Sequence, residues 1–211
     1  MVWQTYDYYF EPTAAYFGVK KACEPLHIQL NALTDSIEVV NLCAGDKSEL
    51  TATATLYDIN GKRLWQKTVK LDSRDDSTVG IFHNSQFIIH NLQCVLLRLQ
   101  LRDKKGMISE NDYIMRDEDA EAPLSSWPAA DIEQQTVVKG TSATVTLRNR
   151  GRAIAPLIRL NLKGADGEQI LPVIYSDNFF NLLPGERRTV TISWKAEDGR
   201  GQQPMVEVET L

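Results

Sequence analysis

The chain has 211 residues, 43% hydrophobic and 24% charged, which is enough for one large globular domain or two small ones. A complete (β/α)₈ barrel, which typically needs about 250 residues, does not fit this length. The net charge of −5, with no basic block, excludes the cationic surface typical of nucleic-acid-binding proteins. Because the sequence has no apolar run of about 18 residues and no cationic leader before an apolar stretch, it predicts neither a membrane span nor a signal peptide.

Aromatic residues are concentrated at the N-terminus, where a short helix is also predicted. Residues 13–22 carry the helical pattern, with Pro12 or Thr13 at the start and Pro25 as the stop. A helix of about two turns is unstable alone, and no other segment is helical enough to pack beside it. We therefore expect residues 1–26 to be the tail of another domain that holds the helix's natural partner. Seven of the 17 aromatic residues lie in this segment: Trp3, Tyr6, Tyr8, Tyr9, Phe10, Tyr16 and Phe17.

From residue 27 onward the hydrophobic period changes to two residues. Every second residue is leucine or valine over 95–102, and alanine or leucine alternates with threonine over 51–56. The pair Asn60-Gly61 between two predicted strands favours a tight hairpin with a type I′ turn. Seven short strands of this kind indicate an immunoglobulin-like sandwich over residues 27–116. They are predicted at 28–30, 37–42, 51–57, 63–71, 79–82, 95–102 and 108–114.

Residues 117–130 are acidic and rich in proline and serine, which indicates a linker, and Trp127 could pin it to a neighbour. Alternation then resumes, so residues 131–211 are predicted to form a second sandwich. Its strands are centred on 144–148, 158–163 and 190–195. Its turns are predicted at 149–151, at 166–167, and at 183–186, where Pro184 and Gly185 favour a type II turn.

The three cysteines are too few and too scattered for a disulfide scaffold or a zinc site. Cys43 shares the parity of Ile37, which is predicted to face the core, whereas Cys94 shares that of Arg98, which is predicted to face solvent. A bridge between sheets needs both sulfurs inside, so we predict no disulfide among Cys23, Cys43 and Cys94. A β-bulge that shifts either phase is the alternative.

Candidate catalytic and metal-binding residues are few. His27, His83 and His90 have neither helical i, i+4 spacing nor Cys or carboxylate partners at metal-like separation, which favours ordinary surface or turn histidines. The sequence also has no nucleophile elbow and no phosphate-binding glycine loop. We therefore expect no catalytic residue, no bound metal and no cofactor in this chain.

For two further sets of residues we prefer a structural interpretation to a functional one. The acidic groups Asp72, Asp75, Asp76 and Asp177-Asn178 are more typical of turns than of calcium loops. Trp65 and Trp194 are the candidates for a sugar-stacking platform, but packing is favoured for both.

Two segments resemble a known enzyme family. Residues 3–12 (WQTYDYYFEP) and 15–29 (AYFGVKKACEPLHIQ) closely resemble the barrel-to-sandwich junction of glycoside hydrolase family 2. The nearest branch is similar to exo-β-glucosaminidases and mannosylglycoprotein endo-β-mannosidases, with β-mannosidases as cousins. Residues 175–180 (YSDNFF) and 183–186 (LPGE) resemble the last sandwich domain of the same family.

The resemblance implies an all-β chain with two tandem immunoglobulin-like β-sandwiches, preceded by a short helical remnant of a (β/α)₈ barrel. Members of the family are retaining β-glycosidases, whose two catalytic glutamates lie on earlier barrel strands and have no matching position here. The chain alone is therefore expected to be inactive and to brace the barrel and shape its cleft. Trp3, Asp7 and Tyr8 match the loop after the last barrel strand, so the resemblance places them near the substrate; wall-building aromatic packing is the alternative.

The implied partners are an upstream catalytic barrel of the same polypeptide and the glycan substrate, a β-mannoside or a β-glucosaminide, with no nucleic acid and no membrane. The competing hypothesis is a free-standing carbohydrate-binding or adhesion module. Enzymes of this class degrade extracellular glycans, which favours a secreted or periplasmic parent, whereas three reduced thiols argue against an oxidising compartment. The sequence therefore predicts no single cellular compartment.

Overall fold

The computed structural model describes residues 4–83, 94–115 and 127–210. Over these residues the protein has one nine-residue helix, α1 (Ala14–Ala22), and 14 strands in four antiparallel sheets. The chain divides into two compact units. The first unit contains residues 21–83 and 94–115, and the second contains residues 4–20 and 127–210. Among the described residues, no helix has the length and apolarity that a membrane crossing requires.

The first unit contains all seven strands predicted for it. They form a three-stranded sheet in the order β1-β2-β5 and a four-stranded sheet in the order β4-β3-β6-β7. The strands are β1 (Leu26–Asn31), β2 (Ser36–Asn41), β3 (Lys47–Asp58), β4 (Arg63–Ser73), β5 (Ser77–His83), β6 (Val95–Asp103) and β7 (Gly106–Met115).

The core of this unit follows from the alternation on β3 and β6. Ala54 on β3 lies directly opposite Leu99 on β6, and on the same face Ala52 lies opposite Leu101. These side chains are fully buried together with Ile28 and Ile37 from the other sheet. Small residues opposite large ones let the two layers interdigitate at the density of a protein interior.

The β3–β4 connection is a hairpin, as predicted, but its turn is not type I′. The N–H of Gly61 donates to the carbonyl of Asp58 at 2.9 Å, which closes a turn over residues 58–61. Gly61 has a φ of 74°, but Asn60 does not have the positive φ that type I′ requires at both central residues. The Oδ1 atom of Asp58 accepts hydrogen bonds from the N–H groups of Asn60 at 3.0 Å and Lys62 at 2.9 Å. These side-chain bonds favour a turn that the Asn-Gly signal did not predict.

None of the three cysteines forms a disulfide, as predicted, but the predicted side-chain directions are wrong. Cys43 is exposed and Cys94 is buried. Cys43 lies two residues beyond the end of β2, where strand parity no longer holds. Arg98, predicted to face solvent, is only 4% exposed because its Nε and Nη2 atoms donate to the Asp112 carboxylate on β7 at 2.8 and 2.9 Å.

The second unit contains strands where alternation predicts them, in β9, β10 and β13, and four more. They form a three-stranded sheet in the order β12-β10-β14 and a four-stranded sheet in the order β11-β13-β9-β8. The strands are β8 (Ile132–Lys139), β9 (Ser142–Asn149), β10 (Ala155–Lys163), β11 (Val173–Tyr175), β12 (Phe180–Leu182), β13 (Arg187–Trp194) and β14 (Met205–Glu209).

Two local predictions in this unit can be checked. The N–H of Glu186 donates to the carbonyl of Leu183 at 3.0 Å, and Gly185 has a φ of 78°, which confirms the type II turn. Of the predicted linker, residues 117–126 lie outside the described residues, whereas Trp127 is buried.

Tyr175 joins the two sheets of the second unit. Its hydroxyl oxygen, carried on β11, accepts a hydrogen bond from the N–H of Leu162 on β10 at 3.0 Å. Burial raises the pKa of Tyr175 to about 12, although the Leu162 hydrogen bond lowers it. Because the phenol titrates near pH 10 when unfolded, its neutral form stabilises the fold fully below pH 10, and this stabilisation is lost between pH 10 and about 12.

We therefore expect Tyr175→Phe to destabilise the second unit by about 1–3 kcal/mol at pH 8, because it leaves the N–H of Leu162 without an acceptor. The difference from the unchanged chain should shrink at pH 11.5. Urea unfolding at both pH values measures it, with Tyr8→Phe on an exposed ring as the control. A difference that stays constant with pH would contradict this assignment.

Candidate functional site

The N-terminal aromatic residues form a compact loop, which we call the aromatic loop (residues 5–13). Tyr6 and Pro12 form an antiparallel bridge, and the N–H of Thr13 donates to the carbonyl of Thr5 at 3.0 Å. Within this frame the N–H of Asp7 donates to the carbonyl of Glu11 at 3.1 Å. The loop is therefore a miniature hairpin, although no strand was predicted there.

Asp7 builds the turn of this hairpin. Its Oδ1 atom accepts hydrogen bonds from the N–H groups of Tyr9 and Glu11, both at 2.8 Å. The N–H of Phe10 donates to the carbonyl of Asp7 at 3.2 Å. Such side-chain-to-backbone bonds are the usual way in which aspartate fixes a tight turn. The role of Asp7 in the structure is to position the loop.

Three consecutive aromatic rings stand at the tip. Tyr8 is 86% exposed, Tyr9 68% and Phe10 66%. The rings of Tyr8 and Tyr9 meet edge to face with centroids 5.1 Å apart. Phe10 has a φ of 65°, which is unfavourable for a bulky residue and is held by the hydrogen bonds around Asp7. A strained turn that keeps aromatic faces in water is typical of a binding surface rather than of a core.

The base of the loop is fixed by charge to the sheet that contains β10 and β14. Glu11 pairs with Nη2 of Arg159 on β10, and Nη1 of Arg159 donates to Glu209 on β14 at 2.9 Å. Partial burial lowers the pKa of Arg159, but the hydrogen bonds and charges of the two glutamates outweigh this effect and raise it. The carboxylate of Glu11 is thus engaged in holding the loop in place.

A series of aromatic rings connects the loop with the core of the second unit. Tyr6 and Tyr16 have centroids 5.0 Å apart, Tyr16 and Phe17 5.0 Å, and Phe17 and Phe179 5.8 Å. Phe17 is 6% exposed and belongs to the same core cluster as Leu160. The expectation that the helix has no partner in this chain is therefore wrong, since α1 packs against a β-sheet core rather than beside another helix.

A cleft of about 300 Å³ opens beside the loop. Its lining includes the side chains that hold the loop, Asp7, Glu11 and Arg159, together with Thr13 and Phe179. The two carboxylates are engaged by the hydrogen bonds already described. The Thr13 hydroxyl donates to the carbonyl of Thr5 at 3.2 Å, so the polar groups of the cleft serve mainly to hold the loop.

Two of the three residues that the resemblance places near the substrate, Asp7 and Tyr8, lie in the aromatic loop. Trp3 lies outside the described residues, Asp7 shapes the turn, and Tyr8 presents the most exposed of the three rings at the tip. Tyr9 and Phe10 were not selected, although they complete the exposed surface. The available signal was the spacing of Asp7 from Tyr9 and Glu11, which is typical of an aspartate-stabilised turn with its neighbours pushed outward.

The structure also describes both tryptophan candidates and two of the three histidine candidates. Trp65 meets Phe82 edge on at 6.3 Å, and Trp194 packs against the core of the second unit, in agreement with the preferred packing interpretation. His27 is buried, His83 is exposed on β5, and His90 lies outside the described residues.

The acidic groups also make local contacts. Asp72 and Asp75 accept backbone hydrogen bonds from Glu49 and Gly45, and Asp177 pairs with Arg188. Within the described part of the chain, no three residues among His, Cys, Asp and Glu are grouped so that they could hold a metal ion.

Comparison with known proteins places these features in context. Residues 115–211 match the family described as the exo-β-D-glucosaminidase Ig-fold domain. An exo-β-D-glucosaminidase of Streptomyces avermitilis is 30% identical over 98% of this chain and 26% of its own length. A mannosylglycoprotein endo-β-mannosidase of Lilium longiflorum is 22% identical over 93% of this chain and 28% of its own length.

A solved structure also matches. The crystal structure of the Amycolatopsis orientalis exo-chitosanase CsxA superposes with a TM-score of 0.84 at 28% identity, over 99% of this chain and 28% of that chain. The chain thus spans about a quarter of the length of the curated relatives it matches.

Proposed function

We propose that this chain, in which residues 115–211 match the exo-β-D-glucosaminidase Ig-fold domain family, is the non-catalytic accessory region of a retaining β-glycosidase of glycoside hydrolase family 2. In this proposal two tandem immunoglobulin-like sandwiches brace an upstream (β/α)₈ barrel, of which the leader is the tail. The two pairs of sheets, each around its own core, support the tandem arrangement. The match of relatives over nearly the whole chain, leader included, supports the junction.

The observation that carries the functional proposal is the aromatic loop. Three rings exposed in series, on a turn fixed by Asp7 and anchored through Glu11, form a rigid surface on which a sugar ring can stack. Aromatic side chains provide large contact areas at low entropic cost. We assign this surface to the rim of the substrate cleft in the intact enzyme, with Tyr8 as a contact residue and Asp7 as a positioning residue.

The parent's reaction follows from the same proposal. The relatives are named as exo-β-D-glucosaminidases and an endo-β-mannosidase, so the candidate substrates are β-glucosaminides and β-mannosides. Retaining hydrolysis needs two carboxyl groups about 5–5.5 Å apart, which the proposal places on the barrel. Asp7 and Glu11 are engaged in the aromatic loop and are not assigned this role.

We test the proposal by joining the chain to the upstream barrel of its parent and assaying nitrophenyl β-glucosaminide and β-mannoside. The isolated chain should hydrolyse neither substrate, and the joined polypeptide should hydrolyse one of them. Hydrolysis by the isolated chain would refute the accessory role.

In the joined enzyme, Tyr8→Ala is expected to lower kcat/KM about tenfold to a hundredfold, because truncating a key aromatic side chain at a binding surface costs about 1–3 kcal/mol and about 1.4 kcal/mol corresponds to a tenfold change in rate. Tyr8→Phe keeps the ring and is the matched control, with activity within about threefold of the unchanged enzyme. Equal activity of Tyr8→Ala and the unchanged enzyme would remove Tyr8 from the substrate site and leave it as part of a packed wall.

The second candidate function is a free-standing carbohydrate-binding or adhesion module, which the same exposed rings also favour. It predicts micromolar binding of the isolated chain on a glycan array, lost in Tyr8→Ala. No glycan binding, together with activity of the joined polypeptide, favours the accessory role.

A further inference from the structure

The outer face of the four-stranded sheet in the second unit carries a column of matched cross-strand pairs. Between β13 and β9, Ser193 lies opposite Ser142, and the next two pairs are both threonine with threonine. The last pair of the column is Arg187 opposite Arg148. All these side chains are exposed except Thr146, which is half-buried. The face is therefore rich in hydroxyl groups, and the column ends in two guanidinium groups.

The arginine pair occupies a position where side chains come close. The neighbouring residues Asn149 and Glu186 are joined by a backbone hydrogen bond of 3.0 Å, so Arg148 and Arg187 form the next, non-hydrogen-bonded pair. In such pairs the Cα atoms are about 4.5 Å apart and the side chains approach each other most closely. Like charges directly opposite each other destabilise a sheet.

The adjacent carboxylate attracts this pair through its charge, but its hydrogen bonds go to a third arginine. Glu133 on β8 lies opposite Arg148, but its two oxygens are held by Nε and Nη2 of Arg150, both at 2.7 Å. The pKa of Glu133 is lowered mainly by this hydrogen bonding and further by the charges of Arg148 and Arg187. The pKa of Arg150 is raised mainly by its hydrogen bonding to Glu133 and further by the charge of Asp131. In the described part of the chain, no hydrogen bond or ion pair engages the guanidinium of Arg148 or Arg187.

We propose that the Arg148–Arg187 pair and the hydroxyl-rich sheet face beside it bind an extended anionic polysaccharide, with its carboxylate or sulfate groups seated between the two guanidinium groups. The guanidinium fork matches such oxyanions with two parallel hydrogen bonds. An anion between the arginines would attract both guanidinium groups and offset their mutual repulsion. The hydroxyl groups of Thr144, Thr189 and Thr191 supply donors and acceptors for neighbouring sugar units.

The composition of the face favours a glycan over a protein partner. Protein interfaces depend on aromatic and aliphatic anchors in a desolvated centre. The described residues of this column provide hydroxyl and guanidinium groups instead, with the exposed apolar residues Val137 and Ile174 on the flanking strands β8 and β11. This proposal concerns a surface distinct from the aromatic loop and is independent of the assigned hydrolase role.

The test measures binding of the full chain to polygalacturonate, which carries carboxylates, and to heparin, which carries sulfates, in 50 mM salt. We expect retention of the chain by at least one polymer and at least tenfold weaker binding by Arg148→Gln/Arg187→Gln. Lys62→Gln/Arg63→Gln in the first unit removes the same charge and should bind like the unchanged chain. The thermal midpoint of the Arg148→Gln/Arg187→Gln chain should be equal or higher, because like-charge repulsion is relieved.

The two polymers distinguish the possible anionic groups. Retention by polygalacturonate alone identifies carboxylate groups, and retention by heparin alone identifies sulfate groups. No retention by either polymer, or equal loss of binding in both double variants, overturns the proposal. Equally tight binding of poly-glutamate overturns the assignment to a glycan.

Discussion

Phe17→Ala is expected to destabilise the second unit by about 3–5 kcal/mol, the usual range for removing a buried phenylalanine ring. Phe17 is 6% exposed and lies within the core cluster that contains residues from β9, β10 and β13. Its ring also contacts Tyr16 and Phe179, so its loss opens a cavity and breaks the aromatic series between the loop and the core. Urea unfolding followed by the fluorescence of Trp127 and Trp194 measures the effect.

Val19→Ala on the same helix is the matched control. Val19 is exposed, so this substitution should change the free energy of unfolding by less than about 0.5 kcal/mol. A similarly small effect of Phe17→Ala would mean that the leader is not an integral part of the second unit in solution. In that case the aromatic loop would lack a fixed position as well.

Asn178→Ala is expected to cost about 2–4 kcal/mol, through hydrogen bonding rather than packing. Asn178 is buried; its Oδ1 atom accepts from the N–H of Leu160 at 2.8 Å, and its Nδ2 donates to the carbonyl of Leu160 at 3.0 Å. The ladder between β10 and β12 pairs Ile158 with Phe180, so Asn178 stands at the next position and its amide replaces the backbone groups of a strand. Alanine would leave two buried backbone groups without partners, at about 1–3 kcal/mol each, part of which relaxation would recover.

Two readouts separate this effect from general loss of stability. The amide of Leu160 should exchange with solvent at least tenfold faster relative to other β10 amides. Asn60→Ala, at an exposed position in the β3–β4 turn, should be nearly neutral. Unchanged protection of the Leu160 amide in Asn178→Ala would show that another group accepts its hydrogen bond.

The strands were the most predictable part of the fold, because an alternating pattern has one physical solution when one face is buried. The β3 and β6 patterns predicted which alanines and leucines face the core. Prediction failed where a single side chain decides the geometry. Asp58 redirected the Asn60-Gly61 turn, and Asp112 allowed Arg98 to be buried, because hydrogen bonds to a carboxylate outweigh local propensity.

The candidate site was less predictable, because it depends on contacts distant in sequence. The family resemblance predicts Asp7 and Tyr8 together, but the structure gives them different roles, since Asp7 forms the turn and Tyr8 is exposed at its tip. The partner of Phe17 could not be inferred from helical pattern alone, since the helix packs on a sheet whose residues lie far along the chain. The ion pair of Glu11 with Arg159 likewise joins residues far apart in the sequence, so it could not be predicted from local pattern.

The packing of Phe17 against Phe179 has a consequence for biosynthesis. The ribosome must add more than 160 residues between the two rings, which takes about 10–30 s at typical rates of elongation. During that time Phe17 lacks the core residues of the second unit against which it packs. Folding of the second unit therefore requires contact between segments far apart in the sequence, and its rate should be limited by closing this long loop.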